Sequence, residues 1–198
     1  MVGPSGAGKS TIINHLKKID DRFISIPLYT TRPLRQPDER DRISVRYSEM
    51  RKLKDQGKIL LVMKIYGNFY GVPKKFIDNA IKQGKIPIMD WDFCKIKLLK
   101  PYYPESLFVV YVEPESISAL EDRLRIDARD KNGERLKFAK RELKDYYDGL
   151  CDDQVDLKIK NLANKSLDVA QMLYKKIINE IIDKKQKKRS FVFDQGNL

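Results

Sequence analysis

The chain has 198 residues, of which 41% are hydrophobic, and it carries 40 lysines and arginines against 28 aspartates and glutamates. This length and apolar content predict a single α/β domain with a packed core, and no apolar run reaches the roughly 18 residues of a membrane span. The net charge of +12 makes nucleic acid a candidate partner, although much of it is spread over helices beside acidic residues, as on an ordinary solvated surface.

The first element is a glycine-rich loop at residues 3–10, with the sequence Gly-Pro-Ser-Gly-Ala-Gly-Lys-Ser. It fits the pattern G-x-x-x-x-G-K-[ST] of a phosphate-binding loop, whose backbone N–H groups cradle phosphate oxygens; a flexible turn is the alternative. The apolar residues that follow have helical spacing, so we expect the loop to open a helix whose N-terminus favours an anion. Only two residues precede the loop. The strand expected there is either very short or begins before the sequence does.

The rest of the chain alternates strand and helix patterns. Apolar and β-branched runs predict strands at residues 23–28, 59–65, 86–90 and 106–112. Helices are predicted at 48–57 with Ser48 as the N-cap, at 73–84, at 114–125 and at 167–181. A polar loop at residues 30–42 separates the first strand from the first of these helices. The alternation predicts a parallel sheet with helices on both faces.

The densest basic cluster lies near the C-terminus, at residues 184–189, and precedes a short apolar run. A disordered basic tail over residues 184–198 is the prediction. A contact of this tail with nucleic acid, a membrane surface or a protein is the alternative.

The N-terminus and the cysteines predict the compartment. A phosphate loop at the start of the sequence leaves no room for a signal peptide, so we expect a cytoplasmic protein. Cys94 and Cys151 have neither metal-ligand spacing nor a secretory context, so we expect free thiols.

Two further segments have residues suited to a phosphorylated acceptor. The segment TTRPLR at residues 30–35 contains two arginines, and the segment GNFYG at residues 67–71 contains a tyrosine. Arginine's planar fork suits a phosphate, and a tyrosine hydroxyl can add a hydrogen bond. Together with the phosphate loop, with Asp-Trp-Asp at residues 90–92 and with an asparagine that ends a strand at residue 161, these segments resemble the guanylate kinase family.

The resemblance implies a fold and a reaction. The fold is the three-layer α/β/α P-loop fold with a core parallel sheet, in one domain over residues 1–183. An acceptor-binding region lies at about residues 29–72 and a mobile lid at about residues 125–141. The reaction is ATP- and Mg²⁺-dependent phosphoryl transfer to a nucleoside monophosphate, in the first place GMP to GDP. A kinase for another nucleotide or a sugar phosphate, and a non-catalytic binding module, are the alternatives.

The resemblance also assigns roles to residues. ATP is held by Gly3, Ser5, Gly6, Ala7, Gly8, Lys9, Ser10, Thr11 and Asn161. The acceptor is held by Arg32, Arg35, Tyr70, Asp90 and Asp92. Catalysis is assigned to Lys9 and to the lid arginines Arg125, Arg129 and Arg141, and the metal to Ser10 and Asp90. Arg141 matches the arginine of the family's K-R-L segment best. The family's other lid arginine falls on Asp127, so Arg125 or Arg129 must replace it.

The departures from the family cluster where the base is read. Family members usually have serine, glutamate and serine where this chain has Leu28, Leu61 and Val72. Leucine and valine cannot hydrogen-bond a base, and such bonds are what give strong discrimination between bases. We therefore expect the phosphate chemistry to be retained and strict guanine specificity to be lost.

Overall fold

The computed structural model describes the backbone of residues 1–65, 67–126, 132–150, 152–162 and 164–195, and the side chains of these ranges except 94, 152 and 185–195. The helices are α1 (Lys9–Ile19), α2 (Tyr47–Asp55), α3 (Lys74–Lys82), α4 (Ile96–Leu99), α5 (Ile117–Ile126), α6 (Glu134–Tyr147) and α7 (Ser166–Gln195). The strands are β1 (Phe23–Ser25), β2 (Leu28–Thr30), β3 (Arg42–Ser44), β4 (Ile59–Ile65), β5 (Asn68–Pro73), β6 (Ile86–Ile88), β7 (Val110–Pro114) and β8 (Leu157–Asn161). Among the described residues, no helix is both long and apolar enough to cross a membrane.

The core sheet consists of two parallel strand pairs joined by the first two residues. β1 pairs with β6, and β7 pairs with β8. Between the pairs, the Trp91 N–H donates to the Met1 carbonyl at 2.9 Å. The Val2 N–H donates to the Val110 carbonyl, and the Val2 carbonyl accepts the Val112 N–H, both at 2.9 Å. Met1 and Val2 thus occupy the place of the expected short strand.

Helices cover both faces of this sheet. Successive residues of β7 alternate between two hydrophobic clusters: Val110 and Val112 pack in the cluster that contains residues of α1 and α7, and Tyr111 packs with residues of α3 and α4. A strand buried on both faces is typical of parallel sheets in α/β proteins. The structure therefore has the three layers that the sequence predicts.

A second, mixed sheet forms the acceptor-binding region, with strand order β3-β2-β5-β4. The strand predicted at residues 23–28 is divided between the two sheets, because the Ile26 N–H still donates to the Ile88 carbonyl of the core sheet at 3.0 Å, whereas the Leu28 N–H donates to the Asp41 carbonyl beside β3 at 3.1 Å. Thr31 fixes the following loop against β5: its hydroxyl accepts the Phe69 N–H at 2.9 Å, and its own N–H donates to the Phe69 carbonyl at 3.0 Å.

The lid joins the core through α5 and α6. Leu120 and Leu124 of α5 pack against Ala139 and Leu143 of α6 in a small separate cluster. Gly133 is the N-cap of α6 with φ 67°, a conformation that glycine adopts readily. The stretch of the lid at residues 127–131, which contains Asp127 and Arg129, lies outside the described residues, as does Cys151.

Three elements differ from their prediction. Helix α2 begins at Tyr47 with Arg46 at the N-cap, so Ser48 lies in its first turn and does not cap it. Strand β7 begins at Val110, four residues after the predicted start, because the Val109 N–H donates to the Asp156 carboxylate at 2.6 Å rather than to a neighbouring strand. The segment predicted as a disordered tail continues α7 through Gln195, which accords with the good helix propensity of its lysines and glutamine.

Candidate active site

The phosphate loop requires glycine at two positions. Gly3 has φ 129°, and a Cβ there would lie 2.4 Å from the Val112 carbonyl oxygen. Gly8 has φ 94° as the N-cap of α1, and a Cβ there would lie 2.2 Å from Nδ2 of Asn161. The same Nδ2 donates to the Ala7 carbonyl at 2.8 Å. Asn161, at the end of β8, therefore holds the loop against the edge of the core sheet.

Lys9 lies folded into this loop. Its side chain is 9% exposed, and its ammonium donates to the carbonyls of Gly3 at 2.5 Å and Pro4 at 3.0 Å. It also lies 3.7 Å from Oδ1 of Asp90. Ser10 follows in the first turn of α1 and is exposed. The loop thus presents a cation, backbone N–H groups and a hydroxyl together, as phosphate binding requires.

A cavity of about 1600 Å³ connects the phosphate loop to the acceptor-binding region. All the residues predicted to bind ATP line it except Ala7, which is fully buried, and so do all five residues predicted to bind the acceptor. Ligand pockets usually measure about 300–1,000 Å³. The cavity is therefore large enough for two substrates at once.

At the acceptor end, Arg32 is held in a fixed orientation. Its Nη1 donates to Oε2 of Glu39 at 2.9 Å, and its Nη2 donates to Oε1 of the same carboxylate. The Ser44 hydroxyl donates to the Arg32 carbonyl at 2.9 Å. The hydrogen bonds that Arg32 donates to the Glu39 carboxylate raise the pKa of Arg32, and Tyr70 contributes to the same shift. Arg35 is exposed, and its backbone N–H donates to Oε2 of Glu39 at 2.8 Å.

The two acidic residues predicted from D-x-D lie between the two ends of the cavity, just after β6. The Asp90 side chain is 40% exposed and faces Lys9. The Asp92 carboxylate lies 3.5 Å from the Lys95 ammonium. Carboxylate and hydroxyl oxygens are the ligands that Mg²⁺ prefers, so the donors of Asp90 and Ser10 suit this ion chemically.

The predicted lid arginines differ in whether they reach the cavity, and Arg129 lies outside the described residues. Arg141 lines the cavity and is exposed. Arg125 does not line it, and lies 3.8 Å from Asp122 on the exposed side of α5. Instead, Arg123 donates to the Gly6 carbonyl at 3.3 Å, and Arg135 donates to the Ser5 hydroxyl at 2.5 Å.

Arg135 was not predicted to be a site residue. The signal was present, because Arg135 is followed by a leucine, as the arginine of the family's K-R-L segment is. The extra residues at 131–133 obscured that match. Helix α6 begins immediately after them, and its first turn carries Arg135 to the phosphate loop.

The three residues at the family's base-reading positions belong to the hydrophobic core. Leu28 is 4% exposed, Val72 is fully buried, and Leu61 packs against the same cluster. Leu28 lines the cavity, together with Met63 and Ile65 of β4. The cavity wall near Arg32 and Tyr70 is therefore apolar at Leu28, whereas Leu61 and Val72 belong to the core and do not line the cavity.

These features define a P-loop kinase: a phosphate loop at the start of a helix, a parallel sheet behind it, and a second anion-binding group of residues, Arg32 with Tyr70, across the same cavity. A family model described as guanylate kinase matches residues 1–167. The chain belongs to the guanylate kinase family, and family membership supports a nucleoside monophosphate kinase that uses ATP and a divalent metal.

Individual relatives agree with this assignment. The chain is 33% identical over 168 residues to the guanylate kinase of Carboxydothermus hydrogenoformans, covering 81% of this chain and 82% of the relative. It is 33% identical over 147 residues to that of Thermotoga maritima, covering 71% and 70%. The crystal structure of guanylate kinase from Anaplasma phagocytophilum superposes with a TM-score of 0.69 at 23% identity, over 90% of this chain and 84% of that one. That structure confirms the predicted fold.

Proposed function

We propose that this protein transfers the γ-phosphoryl group of ATP to GMP, giving ADP and GDP. The observation that carries the proposal is the single cavity with Lys9 and the phosphate loop at one end and Arg32 with Tyr70 at the other. Such an arrangement holds a donor and an acceptor phosphate facing each other, and positioning of this kind supplies much of the catalysis in phosphoryl transfer.

The role of each residue in the reaction follows from its position in the cavity. In the structure the Lys9 ammonium donates to the Gly3 and Pro4 carbonyls of the phosphate loop. When ATP binds, the ammonium donates to phosphate oxygens instead, because it already lies inside the loop that holds them. Arg123 and Arg135, which contact the loop from the lid side, offset the charge that develops on the transferred group. The acceptor oxygen is already anionic, so the reaction needs no general base.

We propose Mg²⁺ as the divalent metal, held by the Ser10 hydroxyl and the Asp90 carboxylate. When bound, it would offset negative charge on the ATP phosphates. We assign Asp92 and Arg35 to acceptor contacts and Arg141 to catalysis, because all three lie on the cavity wall. Cytoplasmic location and a contact between the basic C-terminal segment and nucleic acid or protein stay predictions.

The test is GMP-dependent ADP release from ATP and Mg²⁺, followed in the wild type and in Arg32→Ala. We expect turnover in the wild type and a large rise in the KM for GMP in the variant, with the KM for ATP nearly unchanged. Arg46→Ala is a matched control, because Arg46 is exposed and does not line the cavity. Wild-type protein that binds ATP and never phosphorylates GMP would overturn the proposal.

A second candidate is a related acceptor other than GMP, and the apolar side chain of Leu28 on the cavity wall favours it. The same assay with dGMP, AMP, UMP, CMP, TMP and several sugar phosphates separates the two candidates. Turnover on GMP alone would refute the second. If another acceptor is used, Leu28→Ser should shift the preference toward GMP, because a hydroxyl can then bond the base.

A non-catalytic binding module is the remaining alternative. The complete phosphate loop, with its buried lysine and its two sterically required glycines, argues against it. Thermal stabilisation by ATP tests this point separately, since a ligand at about 100 times its Kd adds about 2.7 kcal/mol to the free energy of unfolding.

A further inference from the structure

One partly buried acidic group in the cavity has no role in the reaction described above. Glu142 lies on α6, two helical turns after Arg135, and therefore on the same face of the helix. It lines the cavity together with Gly3 and Lys9 of the phosphate loop. Its Oε1 is buried and has no hydrogen-bond partner among the described residues.

The surroundings of Glu142 disfavour its charge. Burial raises the pKa of Glu142 to about 7, and the neighbouring Asp92 and Asp90 act in the same direction, whereas Lys9 and the Gly3 N–H act against it. Tyr111 of β7 also faces Glu142, and its hydroxyl is likewise buried without a partner among the described residues. An ionised carboxylate in such a place interacts strongly with any further charge, because little water screens it.

The carboxylates beside the phosphate loop differ in their pairing. Among the described residues, the cations that contact the loop are Lys9, Arg123 and Arg135. Asp90 lies 3.7 Å from the Lys9 ammonium, and Asp92 lies 3.5 Å from the ammonium of Lys95, which also lines the cavity. Oε1 of Glu142, in contrast, has no hydrogen-bond partner among the described residues. Glu142 therefore places negative charge on the cavity wall that no hydrogen bond to Oε1 offsets.

The three carboxylates differ in what they can do when ATP arrives. The side chains of Asp90 and Asp92 are 40% and 30% exposed, Asp92 faces Lys95, and both can turn toward a metal or toward water. Glu142 lies on α6, which Ala139 and Leu143 anchor in a buried cluster, so its charge stays beside the phosphate loop.

We propose that Glu142 makes ATP binding depend on a divalent cation: its carboxylate repels the triphosphate of metal-free ATP, and the loop admits the nucleotide only when a metal offsets that charge. Glu142 is then a specificity-determining residue for the ATP·metal complex. This inference rests on the proposed function only in taking ATP as the donor.

The test is equilibrium binding of ATP to the full chain by calorimetry at pH 8.5, without acceptor, in Mg²⁺ or in EDTA. In Glu142→Gln we expect metal-free ATP to bind at least ten-fold more tightly than in the wild type, which is ~1.4 kcal/mol. Binding in Mg²⁺ should change less than two-fold. The gain should be smaller for ADP and absent for adenosine, because it scales with phosphate charge.

Two further variants make the result specific. Glu134→Gln removes an exposed carboxylate from the same helix and should leave both affinities unchanged. Glu142→Asp keeps the charge and should keep the wild-type ratio of the two affinities, which preserves the test if Glu142→Gln does not fold. A ratio unchanged in Glu142→Gln, or equal losses of affinity in both conditions, would mean that Glu142 does not set the metal dependence of ATP binding, and would overturn the inference.

The outcome is separable from the proposed function. Measuring GMP phosphorylation on the same preparations tests that function alone. Absence of GMP turnover together with the expected change in ATP affinities would refute the GMP assignment and leave the inference standing.

Discussion

Glu39 should contribute measurably to folding stability, although it lies in a polar loop. Its carboxylate accepts two hydrogen bonds from the Arg32 guanidinium and one from the Arg35 N–H, and the side chains of Arg32 and Glu39 are only 10% and 12% exposed. Charge-assisted hydrogen bonds contribute about 1.5–3 kcal/mol each. Because Glu39→Gln keeps one acceptor oxygen and loses the charge, we expect a loss of about 2 kcal/mol, or a Tm lower by about 4–8 °C in a chain of this size.

The pH dependence of that loss gives the sharper test. Hydrogen bonds from Arg32 lower the pKa of Glu39 from its usual 4.5 to about 2. A lowered pKa stabilises the folded state above the unfolded value and loses that contribution as pH falls toward the folded value. The difference in stability between wild type and Glu39→Gln should therefore be full at pH 7 and shrink between pH 5 and pH 2.

Urea unfolding of both proteins at pH 7, 5, 4 and 3 measures this difference. Asp38→Asn is the control, since Asp38 is the adjacent exposed carboxylate and should change stability by less than about 0.5 kcal/mol. If Glu39→Gln behaves like Asp38→Asn, or if its effect is the same at every pH, the ion pair does not stabilise the loop and the reasoning fails.

Three further predictions concern the phosphate loop. Lys9→Ala should abolish phosphoryl transfer while lowering the Tm by no more than a few degrees; unchanged turnover would refute the assigned role. Arg135→Ala should reduce kcat at least ten-fold with little change in the KM for GMP, measured by steady-state kinetics, because Arg135 contacts Ser5 at the donor end of the cavity. Gly8→Ala should weaken ATP binding and lower the Tm, because its Cβ would displace Asn161; wild-type values in calorimetry and thermal unfolding would contradict the steric argument.

The phosphate loop and the helix after it were predictable because their signals are local. Gly8 and Lys9 stand at fixed positions of a short pattern, and the apolar spacing of α1 follows directly. The arginines of the acceptor grip were predictable for the same reason. The role of Glu39 could not be predicted. Its pairing with Arg32 depends on the conformation of the polar loop between them, and that conformation leaves no periodic pattern in the sequence.

The lid was the least predictable part of the site. Which arginine reaches the phosphate loop depends on where α5 ends, where α6 begins and which face each helix buries. Leu120 and Leu124 fix the buried face of α5, and this leaves Arg125 on the solvent side. The phase of α6 brings both Arg135 and Glu142 to the cavity. A one-residue difference in either boundary would change those assignments.

The positions at which strands break could not be predicted from the sequence patterns either. Residues 23–28 form one apolar run, yet its pairing with β6 ends after Ile26 and the chain continues in the other sheet from Leu28. Because of this change of sheet, Thr30 and Arg32 are placed beside β5, across the cavity from Lys9. The end of the ladder within this run therefore contributes to positioning the acceptor-binding arginine.

The most direct measurement is the fate of the γ-phosphoryl group. With γ-³²P-labelled ATP, Mg²⁺ and GMP, the account predicts label in GDP, formed in equal amounts with ADP, and no labelled GDP from Lys9→Ala. Label released only as inorganic phosphate, or labelled GDP formed equally well by Lys9→Ala, would contradict it.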